Sequence, residues 1–204
     1  MLSDEFLDWW FTPWDYALDA GAADAGWQRA GLTAGPLGAR DAYRVWCGRA
    51  GIVAELPREL QPGWHVAGTV DGAQLLGTAR LFGGLLAVRE QERAMLAALS
   101  LEEHRWCAAI ASTQPLGRLL RPAPGLPAAS LEAYGLAELA WRLEYGFAGM
   151  WPRLRLLLEG DLVRHVDALL AHGRRDVVAL EAGAARGQRC WQMCRQRLQR
   201  GVVA

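Results

Sequence analysis

Between Asp71 and Thr113 the chain keeps to one helical pattern, and this stretch decides more about the fold than any other. Leu75, Leu76, Ala79, Phe82, Leu85 and Leu86 recur at spacings of three and four, so one stripe of a helix capped by Asp71 must be buried. The polar run from Arg89 to Arg93 breaks that helix, and Met95, Leu96 and Leu99 form the apolar side of a second segment. Ser100 and Glu103 make a Ser-x-x-Glu capping box, in which each side chain satisfies a free amide of a new first turn. The third helix so begun turns Trp106, Cys107 and Ile110 inward. Gly77, Gly83 and Gly84 lack the spacing of a phosphate-binding loop and instead predict where another helix crosses closely.

The remaining segments follow the same rules. Thr12 as cap, Pro13 at the first helical position and Asp15 in the first turn predict a helix that Gly21 ends. A short helix with Trp27, a loop over Gly31 to Gly38, and a helix carrying Tyr43, Val45, Trp46 and Cys47 up to Gly48 or Gly51 come next. Pro57, Pro62 and several glycines make Leu56 to Gly72 a long connection. Pro122, Pro124 and Pro127 cannot continue a helix, so 121–129 reads as a Pro-rich connector and a candidate subdomain boundary. Ser130 caps a helix running to Met150, limited by Pro152. Arg153-Leu154-Arg155-Leu156 alternates like a short strand but is too brief to separate strand from helix. Asp161, as cap, opens a helix to Ala171, and a basic C-terminal helix spans about 174–200. The expectation is an all-α protein, an irregular multi-helix bundle of about eight helices with at most one short strand, forming a single domain over residues 1–204.

Composition removes several function classes. Of the 204 residues 52% are hydrophobic, ample for a core, and the formal net charge is zero, so no global basic field favours nucleic acid. The chain has no Lys and no Asn, and every one of its 22 Lys-or-Arg residues is Arg. A P-loop needs its Lys, Schiff-base chemistry an amine, and a protein kinase both a Lys and a metal-binding Asn, so these classes fall away. The four cysteines come with an acidic N-terminal stretch, MLSDEFLDWWF, where a secretory leader has basic residues; a reducing, cytoplasmic setting is expected. The apolar runs Leu81 to Val88 and Leu154 to Leu158 are far short of the ~20 residues a membrane span needs.

Metal and acid–base chemistry find little support. Cys190-x3-Cys194 and His104-x-x-Cys107 sit at helical spacings and in principle supply four soft ligands, but structural zinc sites draw on CxxC knuckles, and lone cysteines behave as small buried hydrophobes. No metal and no cofactor are expected. His165 lies one turn after Asp161 and two before His172, yet Asp161 is better used as a cap, and Glu102 and Glu103 are first-turn residues. No nucleophile elbow and no HExxH occurs, so no catalytic residue is assigned and an enzyme is not expected. The rival is a helical ligand-binding regulator or small enzyme with a pocket near His104 and His165.

Two features suit contact with a protein partner. Trp9, Trp10, Phe11, Trp14 and Tyr16 crowd one short segment within ten tryptophans overall, and five such aromatics cannot all face inward on one helix. At the other end Arg186, Arg189, Arg195, Arg197 and Arg200 follow Glu181 with no further acid, beside a narrow apolar stripe of Trp191, Cys194 and Leu198. Candidate interaction residues are therefore Trp9, Trp10, Phe11, Trp14 and Tyr16, with Arg189, Arg195 and Arg197.

Phe11-Thr12-Pro13-Trp14-Asp15-Tyr16, an aromatic-x-Pro-x-x-Tyr pattern, is followed by the run Leu75 to Ala87, by Leu96-Ala97-Ala98-Leu99-Ser100, and by the Arg-Leu-rich segment Trp151 to Leu158. In this the chain, from Phe6 to Leu158, resembles the SctK family (YscK/PscK-like) of accessory subunits of the type III secretion sorting platform. It departs at Ala17-Leu18-Asp19, where the family often has a His, and the Arg-rich C-terminal helix has no counterpart. The resemblance implies a non-enzymatic adaptor joining the cytoplasmic domain of the inner-membrane ring protein to the platform's pod protein. It would sit at the cytoplasmic face of the inner membrane through those partners, without nucleic acid and without a membrane span of its own.

Overall fold

A computed structural model of the chain describes residues 2–18, 35–121, 129–175 and 177–202. Helices α1 (Asp4–Phe11), α2 (Gly35–Ala50), α3 (Gly72–Glu90), α4 (Arg93–Leu96), α5 (Leu101–Thr113), α6 (Leu131–Gly146), α7 (Met150–Leu154), α8 (Gly160–His172) and α9 (Val177–Val202) make the fold all-α. Short 3-10 turns cover Pro13–Asp15, Pro62–Ala67 and Arg155–Leu157. Among the described residues the one extended pairing is a clip of two residues on each side, in which β1 (Leu120–Arg121) runs antiparallel to β2 (Arg174–Arg175). No helix of the described residues is long and apolar enough to cross a membrane.

The stretch from Asp71 to Thr113 is the centre of the molecule. Asp71 accepts the Gln74 amide at 2.7 Å, and Ser100 and Glu103 close their reciprocal box at the start of α5. The α3 helix shows more than a stripe to its neighbours: Thr78, Leu81, Gly83, Gly84 and Ala87 are buried along with Leu75, Ala79, Phe82, Leu85 and Leu86. It is enclosed because α5, α6 and α9 pack around it. A helix buried on most sides loses the polar face that periodicity reads.

The glycines of α3 explain how the neighbours come so near. A β-carbon on Gly83 would collide with the Leu131 carbonyl of α6, and one on Gly135 of α6 with the Ala79 carbonyl of α3. These two backbones touch, a contact only paired glycines permit. Gly77 in the same way admits the Leu198 side chain of α9, and Gly84 the Cys107 sulfur. Around this crossing the main core gathers Phe6, Trp10, Trp64, Phe147, Leu154, Val166 and Trp191. A second cluster, with Ala42, Tyr43, Trp46, Cys47 and Ile52, joins α2 to Trp14 and Leu156.

A buried carboxylate fixes the segment before the Pro-rich connector. Glu138 of α6 accepts the amides of Leu119 at 2.9 Å and Leu120 at 2.8 Å and is ion-paired with Arg142, which donates to the Gly117 carbonyl at 3.0 Å. Four polar groups that would otherwise be costly to bury are thus satisfied together.

Several boundaries differ from the sequence reading. The N-terminal helix is α1, capped by Ser3, and Thr12-Pro13 follows its end, starting only a 3-10 turn. The helix predicted for Leu131 to Met150 stops at Gly146 and restarts at Met150 after Gly149 in the left-handed region, φ 85°. Pro152 is then tolerated, because it falls in the first turn of α7, where no intrahelical donor is lost. Arg153 to Leu156 is helical, and the strands lie elsewhere. Glu159, not Asp161, is the N-cap of α8, and Arg174–Arg175 precedes α9 rather than belonging to it. Residues 35–38, read as loop, open α2. The expected helix end at Gly21, the helix around Trp27 and the connector residues 122–128 lie outside the described residues.

Candidate functional site

Arg153 sets the position of the aromatic N-terminal segment. Its guanidinium is fully buried and donates from Nε to the Trp10 carbonyl (3.4 Å), from Nη1 to that of Gly149 (3.2 Å), and from Nη2 to the Tyr43 hydroxyl (2.7 Å) and the Val53 carbonyl (2.8 Å). It also lies over the Trp10 ring. One cation therefore ties α1, α2 and the loop after α2 to α7. Tyr43 in turn donates to the Ala54 carbonyl, and burial pushes its phenol up to about 12 against the opposing pull of Arg153.

The five aromatics divide as a consequence. Trp10 is completely buried in the main core, between Phe6, Phe147 and Arg153, so it contributes nothing to an outside contact in this fold. Trp9 is half-buried and stacks on Tyr16 with ring centroids 5.0 Å apart, and the Tyr16 hydroxyl is shielded, its pKa raised by burial. Phe11 is 41% exposed and meets Tyr43 edge-on at 5.3 Å, while Trp14 leans on Tyr43 and Trp46.

Phe11, Trp14, Tyr43, Ala54 and Leu56 form the walls of an apolar groove of about 610 Å³. Arg40 and Arg44, one turn apart on α2, and Glu55 stand at its rim. Val53, next in the chain to Ala54, is 60% exposed. Aromatic walls with a polar rim match the composition of protein-binding hot spots.

The arginines of α9 are largely engaged within the molecule. Arg195 donates to the carbonyls of Val66 and Thr69, and its half-burial lowers its pKa. Arg197 is ion-paired with Glu102 of α5, and Arg186 donates to the Pro115 carbonyl at 3.0 Å. Arg195 and Arg197 thus fasten α9 to the body instead of forming a free basic face. Arg189 is exposed.

His104 and His165 are half-buried and do not line the Phe11 groove, and the Nε2 of His165 is shielded without a hydrogen-bond partner among the described residues. Cys107, Cys190 and Cys194 are buried in the main core, where desolvation raises their pKa values, and Cys47 is buried in the second cluster. Among the described residues no three His, Cys, Asp or Glu side chains converge as a metal site. The sequence reading missed Arg153, whose alternation with Leu154 resembled a strand, and it missed the α2 wall of the groove. The local signal for that wall is the spacing of Arg40, Tyr43 and Arg44, which puts them on one face of a helix. No family model, no curated protein and no solved structure matches this chain.

Proposed function

We propose that the protein is a non-enzymatic adaptor of the bacterial type III secretion sorting platform, linking the cytoplasmic domain of the inner-membrane ring protein to the pod protein. The observation that carries a protein-binding role is the aromatic groove between Phe11, Trp14 and α2, which holds large apolar side chains at the surface on a rigid support. Its assignment to the secretion platform rests on the sequence resemblance over Phe6 to Leu158. In this reading an apolar segment of one partner fills the groove, and the exposed part of α9 around Arg189 faces the other. The enclosed α3 helix keeps the two surfaces in fixed relation, and the protein reaches the membrane face only through its partners.

The test is co-purification with the ring protein's cytoplasmic domain and the pod protein after Phe11→Glu and Arg189→Glu. Arg189→Glu leaves the ties of Arg195 and Arg197 in place and Phe11→Glu removes only the edge contact with Tyr43 while Phe6 and Trp10 stay in the core, whereas removal of residues 1–16 takes both out of it. Each variant is expected to keep the parent's thermal melting and lose one partner. Retention of both partners by both variants would show that neither surface is used.

A further inference from the structure

A second groove, of about 780 Å³, opens where the end of α2 meets α7 and the start of α8. Its floor is apolar: Trp46, Ile52, Leu158 and Val163 line it and are buried. Among the described residues its ionisable lining side chains are Arg49 and Arg155. Arg49 is exposed and makes no hydrogen bond or ion pair among the described residues. Arg155 holds Asp167 through Nη2 at 2.9 Å, and the rest of its donor fork has no acceptor among the described residues.

Other unmet donors converge on the same place. Gly160 lines the groove and is the first residue of α8, a helix of 13 residues whose N-cap, Glu159, makes no side-chain cap. Among the described residues no side chain caps the first amides of that helix, where its dipole is positive. Trp46 is 2% exposed, and its indole nitrogen, shielded from solvent, has no acceptor among the described residues. The nearby carboxylates do not supply one: Asp161 is held by Arg164, Asp167 by Arg155, and Glu159 is exposed. A groove with two guanidiniums and a helix N-terminus above an apolar floor suits a ligand that is anionic at one end and apolar at the other.

We infer that this groove binds a small organic anion, a carboxylate or phosphate monoester carried on an aliphatic or aromatic body, with Arg49, Arg155 and the α8 N-terminus on the anionic end. The site is separate from the Phe11 groove, and the inference does not depend on the adaptor role. The probes are hexanoate and phenyl phosphate, with benzylamine as a cationic control, measured by calorimetry and by the ¹⁹F signal of Trp46 in 5-fluorotryptophan-labelled full-length protein. Saturable binding of at least one anion is expected, with a shift at Trp46, no response to benzylamine, and about tenfold weaker binding in Arg49→Gln, the loss of one charge-assisted contact. Arg49 makes no hydrogen bond or ion pair among the described residues, so Arg49→Gln is expected to keep the parent's thermal melting, which is measured alongside. Saturation by hexanoate alone or by phenyl phosphate alone identifies the anionic group. No saturable binding of either anion, equal binding of benzylamine, or unaltered affinity in Arg49→Gln overturns the inference.

Discussion

The guanidinium of Arg153 lies 3.5 Å from the centre of the Trp10 ring and, through Nε, reaches the Trp10 carbonyl. The two residues are 143 positions apart in the chain. A buried cation over an indole is stabilised by the ring's quadrupole, and the three carbonyls and one hydroxyl around it take the place of water. This contact holds Phe11 and Trp14 beside α2, so the geometry of the groove depends on a residue that does not line it.

Replacing Arg153 by Met keeps the volume of the stem but leaves those acceptors without donors. The expected cost is about 3 kcal/mol, and Arg153→Lys recovers only part of it because an ammonium has no planar fork. Chemical denaturation with tryptophan fluorescence measures both. Equal stability of Met and wild type would show that the cation is dispensable.

Gly135 makes the second prediction. In a solvent-exposed helix Gly→Ala stabilises by up to about 1 kcal/mol, and Gly183 of α9, with open space around a β-carbon, should behave that way. At Gly135 the added methyl meets the Ala79 carbonyl of α3, which cannot move without displacing the helix. Gly135→Ala is therefore expected to destabilise by roughly 3 kcal/mol, so the two substitutions have opposite sign in thermal unfolding.

How far the fold was legible depended on how local the determining interaction was. The caps at Asp71, Ser100 and Ser130 were readable because a cap and its amide lie within three residues of each other. The close approach at Gly83 was readable because glycine in a helix is locally unfavourable and calls for an external reason. Trp10 was not readable as core: which of the five clustered aromatics is buried is decided by Arg153 and Phe147, far along the chain. Arg195 and Arg197 had the composition of a basic face, but the acceptors that engage them, the Val66 carbonyl and Glu102, come from segments that only the folded chain brings near.

The cysteines give a prediction about reactivity. Burial pushes the Cys107 thiol up to about 12 and raises those of Cys47, Cys190 and Cys194. The thiolate is the nucleophile, so all four should resist iodoacetamide at pH 8 in the native protein and react at ordinary rates in denaturant. Mass spectrometry after timed quenching counts the modified sites. Rapid native labelling at any one of them would place that cysteine at the surface.

Acid stability should report the cluster that joins three parts of the core. Arg80 of α3 donates to Glu103 of α5 at 3.0 Å, to Glu132 of α6 at 2.9 Å and to the Ala98 carbonyl. Burial alone would raise both carboxyls, but the hydrogen bonds from Arg80, and for Glu103 those from Ser100, outweigh it and hold both below the usual value of 4.5. A carboxyl depressed in the folded state contributes stability that is fully present above its unfolded pKa and is lost as pH falls through the folded value. Unfolding free energy should thus be flat above about pH 5 and fall below pH 4. In Arg80→Met the two carboxylates lose their partner, so stability drops at neutral pH and the acid-dependent part shrinks. Denaturant midpoints of both proteins between pH 3 and 7 check this, and parallel pH profiles would remove Glu103 and Glu132 as its source.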